Sequence, residues 1–417
     1  MGIKFRLISM NFLQFFVWGS WLLTIGSYWF QTKQWSGSEF GAIFSTMGIS
    51  SLFMPTLTGI IADRFISTEK LYAILHICGA IVLFFVPQIN DPNTMFWVLL
   101  LNMIFYMPTI SLSISLAYTA LKNKGFDIIK EYPPIRVWGT VGFIAALWTV
   151  NLLGFGTSAN QFYLASISSL FLGIYSFTLP KCPPNKNQEV KGMMESLGLN
   201  AFALFKSSKM ALFFLFAMFL GAALQLTNAY GDTYLLDFEK NPLYSDSFVV
   251  KYSQIIMSIS QVSETLFILT IPFFLKRFGI KNVMFFSMIA WVLRFALFAY
   301  GNPADGLWMI ILSCIVYGMA FDFFNVSGSL FVETQSDPKI RASAQGLFMM
   351  MVNGVGAVIG SLLSGYIIEK FFTNADNTLQ WKGIWTTFSI YAFVIAVFFW
   401  IFFKHKHDPN HKLEVKH

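Results

Sequence analysis

Tyr252-Ser-Gln-Ile-Ile-Met-Ser258-Ile-Ser-Gln261-Val-Ser-Glu264-Thr-Leu-Phe-Ile-Leu-Thr-Ile-Pro272-Phe-Phe274 is apolar enough to cross a bilayer as a helix, and it carries an acid near its middle. Gln261 sits one helical turn before Glu264. The run from Met309 to Val332 repeats the pattern with Asp322 inside it. A carboxylate at the centre of a membrane helix costs about 2.5–3.5 kcal/mol on lenient scales, so such residues face a polar cavity where they bind a solute or carry a proton.

Outward from these two runs the chain is apolar throughout: 56% hydrophobic and only 12% charged over 417 residues, with a mean hydropathy of +0.61. A soluble domain carries roughly twice that charge. Stretches of membrane-spanning length are expected at 6–30, 40–62, 71–89, 95–120, 136–155, 161–180, 210–236, 248–275, 282–300, 307–333, 342–369 and 383–403. The fifth of them holds Arg136 and the ninth Arg294.

Charge supports twelve spans with both termini on the cytoplasmic side. Of the 28 Lys and Arg residues, twenty-one fall in the loops and ends assigned inside, among them Lys4, Arg64, Lys124, Arg277 and Lys404. Only Lys33, Lys240, Lys251, Lys370 and Lys382 fall outside. That asymmetry follows the positive-inside rule and accounts for the net charge of +7 without any nucleic-acid partner. The first apolar stretch has a basic start but no small-residue cleavage site, so it is read as a retained helix. Cys78, Cys182 and Cys314 are scattered and give neither a disulfide framework nor a metal site.

A polar stretch from Pro180 to Ser208 divides the chain. The expected organisation is a six-helix bundle over 1–180, a cytoplasmic linker over 181–208, a second bundle over 209–404 and a tail over 405–417. Each half has a short basic turn after its second span, Gly59-Ile-Ile-Ala-Asp63-Arg64-Phe65 and Leu275-Lys276-Arg277-Phe278-Gly279. Two such halves suggest a parallel duplication of the major facilitator kind.

Four spans carry polar residues at helical spacing. Arg136, Thr140 and Phe143 share a face of the fifth, Gln225 and Asn228 of the seventh, and Gln261 and Glu264 of the eighth. On the tenth, Tyr317 or Gly318 precedes Asp322 by about one turn, with Phe321 and Phe324 beside it. Any single amide is as easily interhelical glue; four facing sets that include two acids and a base point to a cavity. Amides match a nucleobase edge or sugar hydroxyls equally well, and Phe143 and Phe321 offer flat faces to a planar ring. One deep cation is too little for a phosphate ester beside two acids. A buried carboxylate can take and release a proton, since loss of water disfavours its charged form, and this supplies a coupling device.

Longer strings carry a resemblance: Phe12-Leu-Gln14-Phe-Phe-Val-Trp18-Gly19-Ser20-Trp21, Pro133-Pro134-Ile-Arg136-Val-Trp138-Gly139-Thr140, Gln225-Leu-Thr-Asn228, Ser258 to Pro272, and Phe321-Asp322-Phe-Phe-Asn325. With these the chain resembles the bacterial nucleoside–proton symporters of the major facilitator superfamily over nearly its whole length. The resemblance implies an all-α membrane fold of twelve helices in two six-helix halves. It also implies a nucleoside site between the halves lined by Arg136, Thr140, Phe143, Gln225, Asn228, Gln261 and Glu264, with Tyr317 and Phe321 alongside. Asp322, and with it Glu264, would couple the proton.

The expected function is proton-driven import of purine and pyrimidine nucleosides such as uridine or adenosine across a bacterial inner membrane. The protein would be a monomer among lipids, without cofactor or metal. The alternatives are a sugar or oligosaccharide symporter and a non-transporting membrane receptor. No nucleophile–base set or phosphate loop supports an enzyme.

Other features have plainer readings. Gly354, Gly356, Gly360 and Ser364 suit close helix packing, and His405, His407, His411 and His417 a solvated tail. His76 reads as packed or hydrogen-bonded. Gln14, Trp18 and Trp21 share a face for packing or for the cavity mouth. Arg294 is expected to partner an acid or snorkel outward, Asp63 and Arg64 to serve gating or topology. Asp232 and Asp237 lie near the outer end of the seventh span, expected in water, with a gate contact as the alternative.

Overall fold

The structure is a computed structural model describing residues 2–184, 199–337 and 340–405. Most of the expected linker and the tail beyond His405 lie outside the described residues, as does the side chain of Asp63.

The described chain is helical, with one isolated β-bridge between Thr373 and Leu379. The helices are α1 (Ile3–Gly19), α2 (Gly37–Arg64), α3 (Thr68–Phe85), α4 (Pro92–Asn123), α5 (Ile128–Leu152) and α6 (Asn160–Ser176) in the first half. The second half begins with α7 (Ser208–Asp237), then the run Ser253–Tyr300, which holds α8 (253–278) and α9 (280–300). It continues with α10 (Leu307–Gln335), α11 (341–372, with a π-helical turn at Met350–Gly356) and α12 (Trp381–Phe402). Among the described residues nine helices have the length and hydropathy to cross a membrane. Ser253–Tyr300 holds two of the twelve spans, and α1 and α6 fall just short at 17 residues each.

Local chemistry sets these boundaries. Gly279 separates α8 from α9 because its φ of 78° is a left-handed value that a side chain would oppose. Ser36 and Glu39 close a reciprocal capping box at the start of α2. Asp91 caps α4 through the Thr94 N–H at 2.7 Å, and those Thr94 bonds hold its carboxyl below the usual range. Two expectations shift. The first span is interrupted at residues 20–24, where the Ser20 hydroxyl bonds back to the Phe16 carbonyl at 2.7 Å. α5 begins two turns earlier than expected, and Pro133 and Pro134 lie inside it.

Large apolar side chains also cover the outside, Trp97, Leu152, Phe171, Ile174 and Phe398 among them. In water that would be a liability; in a bilayer it is the solvent-facing surface.

The halves are joined at one end. Their closest helix pairs are α2 with α11, α5 with α8, and the end of the first span with α7. Every described hydrogen bond between the halves lies where odd-numbered spans finish and even-numbered ones begin, away from both termini. They are Ser27 to Asp232, the Ser38 N–H to Glu369 at 2.6 Å, Trp148 to Ser258 at 2.9 Å, and Asn151 to both Gln254 and the Lys251 carbonyl. Gly41 of α2 lies so close to Gly365 of α11 that neither has room for a side chain. Here the small residues of α11 do what their spacing suggested, with the neighbouring Gly354 and Gly360 likewise packed on α2 and α7.

Candidate functional site

Helical spacing puts the polar residues on inward faces, and their burial divides them into two kinds. Gln225 is 3% exposed and Asp322 4%. Arg136, Thr140, Asn228, Gln261 and Glu264 keep partial access. Glu264 has protein on nearly every side and yet some open surface, as a group facing a narrow internal cleft does.

Among the buried oxygens without a hydrogen-bond partner are three on the expected site residues, Gln225 Oε1, Gln261 Oε1 and Asp322 Oδ2. The Trp18 indole N–H is in the same position. Leaving a buried polar group unpaired costs about 1–3 kcal/mol, so acceptors left open in one region are what a site awaiting a donor-bearing solute looks like.

Charge links the two halves across this region. Arg136 on α5 acts on Glu264 of α8, and its guanidinium stacks on the Phe15 ring at 4.2 Å. Glu264 in turn acts on Asp322 and on Tyr317, both on α10. The Tyr317 and Phe321 rings lie parallel, 4° apart in tilt with centroids at 5.8 Å. Ser263 donates to the Ile315 carbonyl and fixes α8 against α10 beside the acids. Phe143 is 9% exposed and belongs to the apolar core that spans both halves. The residues brought into mutual contact or electrostatic reach are therefore Arg136, Glu264, Tyr317, Phe321 and Asp322.

Four expectations change. Asp232 is 1% exposed instead of lying in water: it accepts from Ser27 Oγ at 2.7 Å and from Gln254 Nε2 at 2.9 Å. Asp237 is likewise covered, pairing with Lys240 at 2.6 Å and accepting from the Trp381 indole at 2.9 Å. Arg294 neither snorkels nor pairs with a carboxylate, but lies fully buried among oxygens and aromatic rings. His405 meets Lys209 at 3.1 Å and the Phe331 ring.

His76 is hydrogen-bonded, as expected, but in a network whose partners the sequence did not show. Gln14 donates to Thr109 at 2.8 Å and accepts from Tyr72 at 2.5 Å, and its carbonyl also meets His76 Nε2 at 2.8 Å. Because Gln14 Oε1 can only accept, His76 Nε2 carries a proton. This network fixes α1, α3 and α4 together and holds Trp18, which packs on Tyr106 at 5.5 Å.

Comparison with known proteins bears on this arrangement. The family model described as "Nucleoside H+ symporter" matches residues 1–408. The chain is 52% identical to the xanthosine permease of Escherichia coli, covering 100% of this chain and 99% of that one. It is 51% identical to the nucleoside permease NupG of the same organism, over 98% and 97% of the two chains. The crystal structure of the nucleoside transporter NupG superposes with a TM-score of 0.91, covering 97% of this chain and all of that one.

Proposed function

Because the chain belongs to the nucleoside–proton symporter family, we propose that the cleft between its two six-helix halves is the nucleoside site of a proton-driven importer. It is a multi-pass membrane transporter with the major facilitator fold, and it is not an enzyme. We place it in a bacterial inner membrane as a monomer with both termini cytoplasmic, on the strength of the Lys and Arg asymmetry. The halves are residues 1–180 and 209–404, joined by the linker 181–208 and followed by the tail 405–417.

The observation that carries the site is the set of open acceptors, Gln225 Oε1, Gln261 Oε1 and Asp322 Oδ2, together with Glu264 in electrostatic reach of Arg136. Gln225, Asn228 and Gln261 hold base and ribose; Arg136 and Thr140 close the first-half side; Phe143, Tyr317 and Phe321 offer rings to the base. Glu264 and Asp322 carry the proton. Among the described residues the hydrogen bonds between the halves lie at the end away from the termini, which supports reading this state as inward-facing.

In the cycle a proton arriving from outside neutralises one acid of the coupled pair, and nucleoside binds. The halves then rock, and loss of the proton to the cytoplasm releases the nucleoside. Which bases are accepted is set by the amides, and both purine and pyrimidine nucleosides fit two-sided donor–acceptor groups.

The test is uptake of radiolabelled uridine into proteoliposomes with and without an imposed inward proton gradient. Gradient-driven accumulation abolished by a protonophore is the expected result. Equilibration indifferent to the gradient would refute coupling, and competition by glucose or ribose in place of nucleosides would refute the substrate class.

A further inference from the structure

Arg294 is a buried charged group that the transport cycle above leaves unused. It sits on α9, 0% exposed, among the largest fully buried side chains of the molecule. Its partners are neutral: Nε donates to Thr227 Oγ1 at 3.2 Å, and Nη1 donates to Ser260 Oγ at 3.4 Å and to the Ser313 carbonyl at 2.7 Å. Nη2 has no acceptor. Among the described residues no carboxylate forms an ion pair with it.

A guanidinium cannot shed its proton, and a buried charge without a counter-charge is costly. Hydrogen bonds to three oxygens orient the group without balancing it. The nearest route to balance runs through an aromatic ring. Tyr317 lies with its ring centre 4.6 Å from the guanidinium, and the same Tyr317 feels Glu264, Arg294 and Asp322 together. Arg136 acts on Glu264, while Arg294, buried outside the cleft, stands behind the Tyr317 ring and holds Ser260, one helical turn before Glu264 on α8.

We propose that Arg294 is a positioning residue for proton coupling: its fixed charge, presented through Tyr317, balances the Glu264–Asp322 pair when that pair has given up its proton. The inference rests on the nucleoside–proton reading of the cleft. Two consequences separate it from simple helix packing. Deproton-ated acids are needed for net proton release, but not for exchange of nucleoside across a loaded carrier, so losing the charge strikes accumulation and spares exchange. The charge, rather than the planar fork, is what matters, so lysine substitutes in part.

The experiment uses the full-length protein in the vesicles described above, where wild-type accumulation of uridine tests the underlying reading independently. Arg294→Met should keep uridine exchange within about threefold of wild type while gradient-driven accumulation is lost, and Arg294→Lys should restore accumulation. Accumulation by Arg294→Met at the wild-type level overturns the proposal. So does a parallel loss of exchange and accumulation in Arg294→Met that Arg294→Lys does not relieve. Should Arg294→Met fail to fold, Arg294→Met/Asp322→Asn decides: restored thermal stability of the purified double variant is expected, and no recovery identifies a packing role and overturns the charge link.

Discussion

Ser27 and Asp232 meet across the two halves of the molecule, the Ser27 hydroxyl donating to Asp232 Oδ2 at 2.7 Å with both side chains buried. The carboxylate also takes the Gln254 amide at 2.9 and 3.0 Å, and Gln254 takes the Asn151 amide at 2.7 Å. Donors run from α5 and the first span toward one acid on α7, so the contact works as a latch at the closed end. Trp148 on Ser258 and Ser38 on Glu369 flank it.

Removing the acid should therefore loosen the closed end. Asp232→Leu leaves Ser27 and Gln254 with unsatisfied donors, each worth about 1–3 kcal/mol when buried, and only opening to water relieves them. A cysteine placed at Thr140 should react severalfold faster with an impermeant maleimide added outside in the Asp232→Leu background than in the parent. Equal labelling rates would show that the latch does not set the resting state.

Much of the fold is legible in the chain because hydropathy and Lys/Arg placement report directly on bilayer crossing. The spans fall within a few residues of their expected places, α5 apart, which starts at Ile128 with Pro133 and Pro134 inside it. The break at 20–24 was hidden because an apolar run looks the same whether or not its backbone ladder is continuous. Costly charges drew the eye to Glu264 and Asp322. For Asp232 the sequence leaves water and a gate contact both open: an acid near a helix end is ordinary, and its partners Ser27 and Gln254 are ordinary polar residues whose meeting depends on how the halves dock. Gln14 reads from sequence as one member of a shared face, but its bonds to Tyr72, His76 and Thr109 depend on two other helices, far along the chain.

Coupling and substrate binding should separate in the two acids. Glu264→Gln and Asp322→Asn remove a titrating proton site and keep a polar side chain of similar shape. Each should abolish uphill uridine accumulation, at least tenfold below wild type, a change of about 1.4 kcal/mol or more in the work the gradient performs. Full uphill accumulation in either variant would remove that acid from the coupling step.

The open amides give a binding prediction. A solute that satisfies Gln225 Oε1 replaces an unpaired acceptor by a hydrogen bond worth about 0.5–1.5 kcal/mol net. Gln225→Ala and Asn228→Ala should each weaken uridine affinity by roughly 3- to 10-fold, read by calorimetry or scintillation proximity on purified protein. Unchanged affinity in both would take the seventh helix out of the site.

The α2–α11 contact gives the sharpest steric prediction. A Cβ on Gly365 would come within 2.9 Å of the Gly41 Cα and within 3.1 Å of its nitrogen, backbone atoms that cannot step aside. Gly365→Leu therefore keeps the halves apart at the end that is closed here, while leaving Gln225, Gln261 and the acids untouched. The variant should bind uridine from the outside yet fail to transport it, and an impermeant maleimide should reach a cysteine at position 140. Transport at the wild-type rate would mean that this helix pair need not close during the cycle, and that the latch at Asp232 alone seals the outer side.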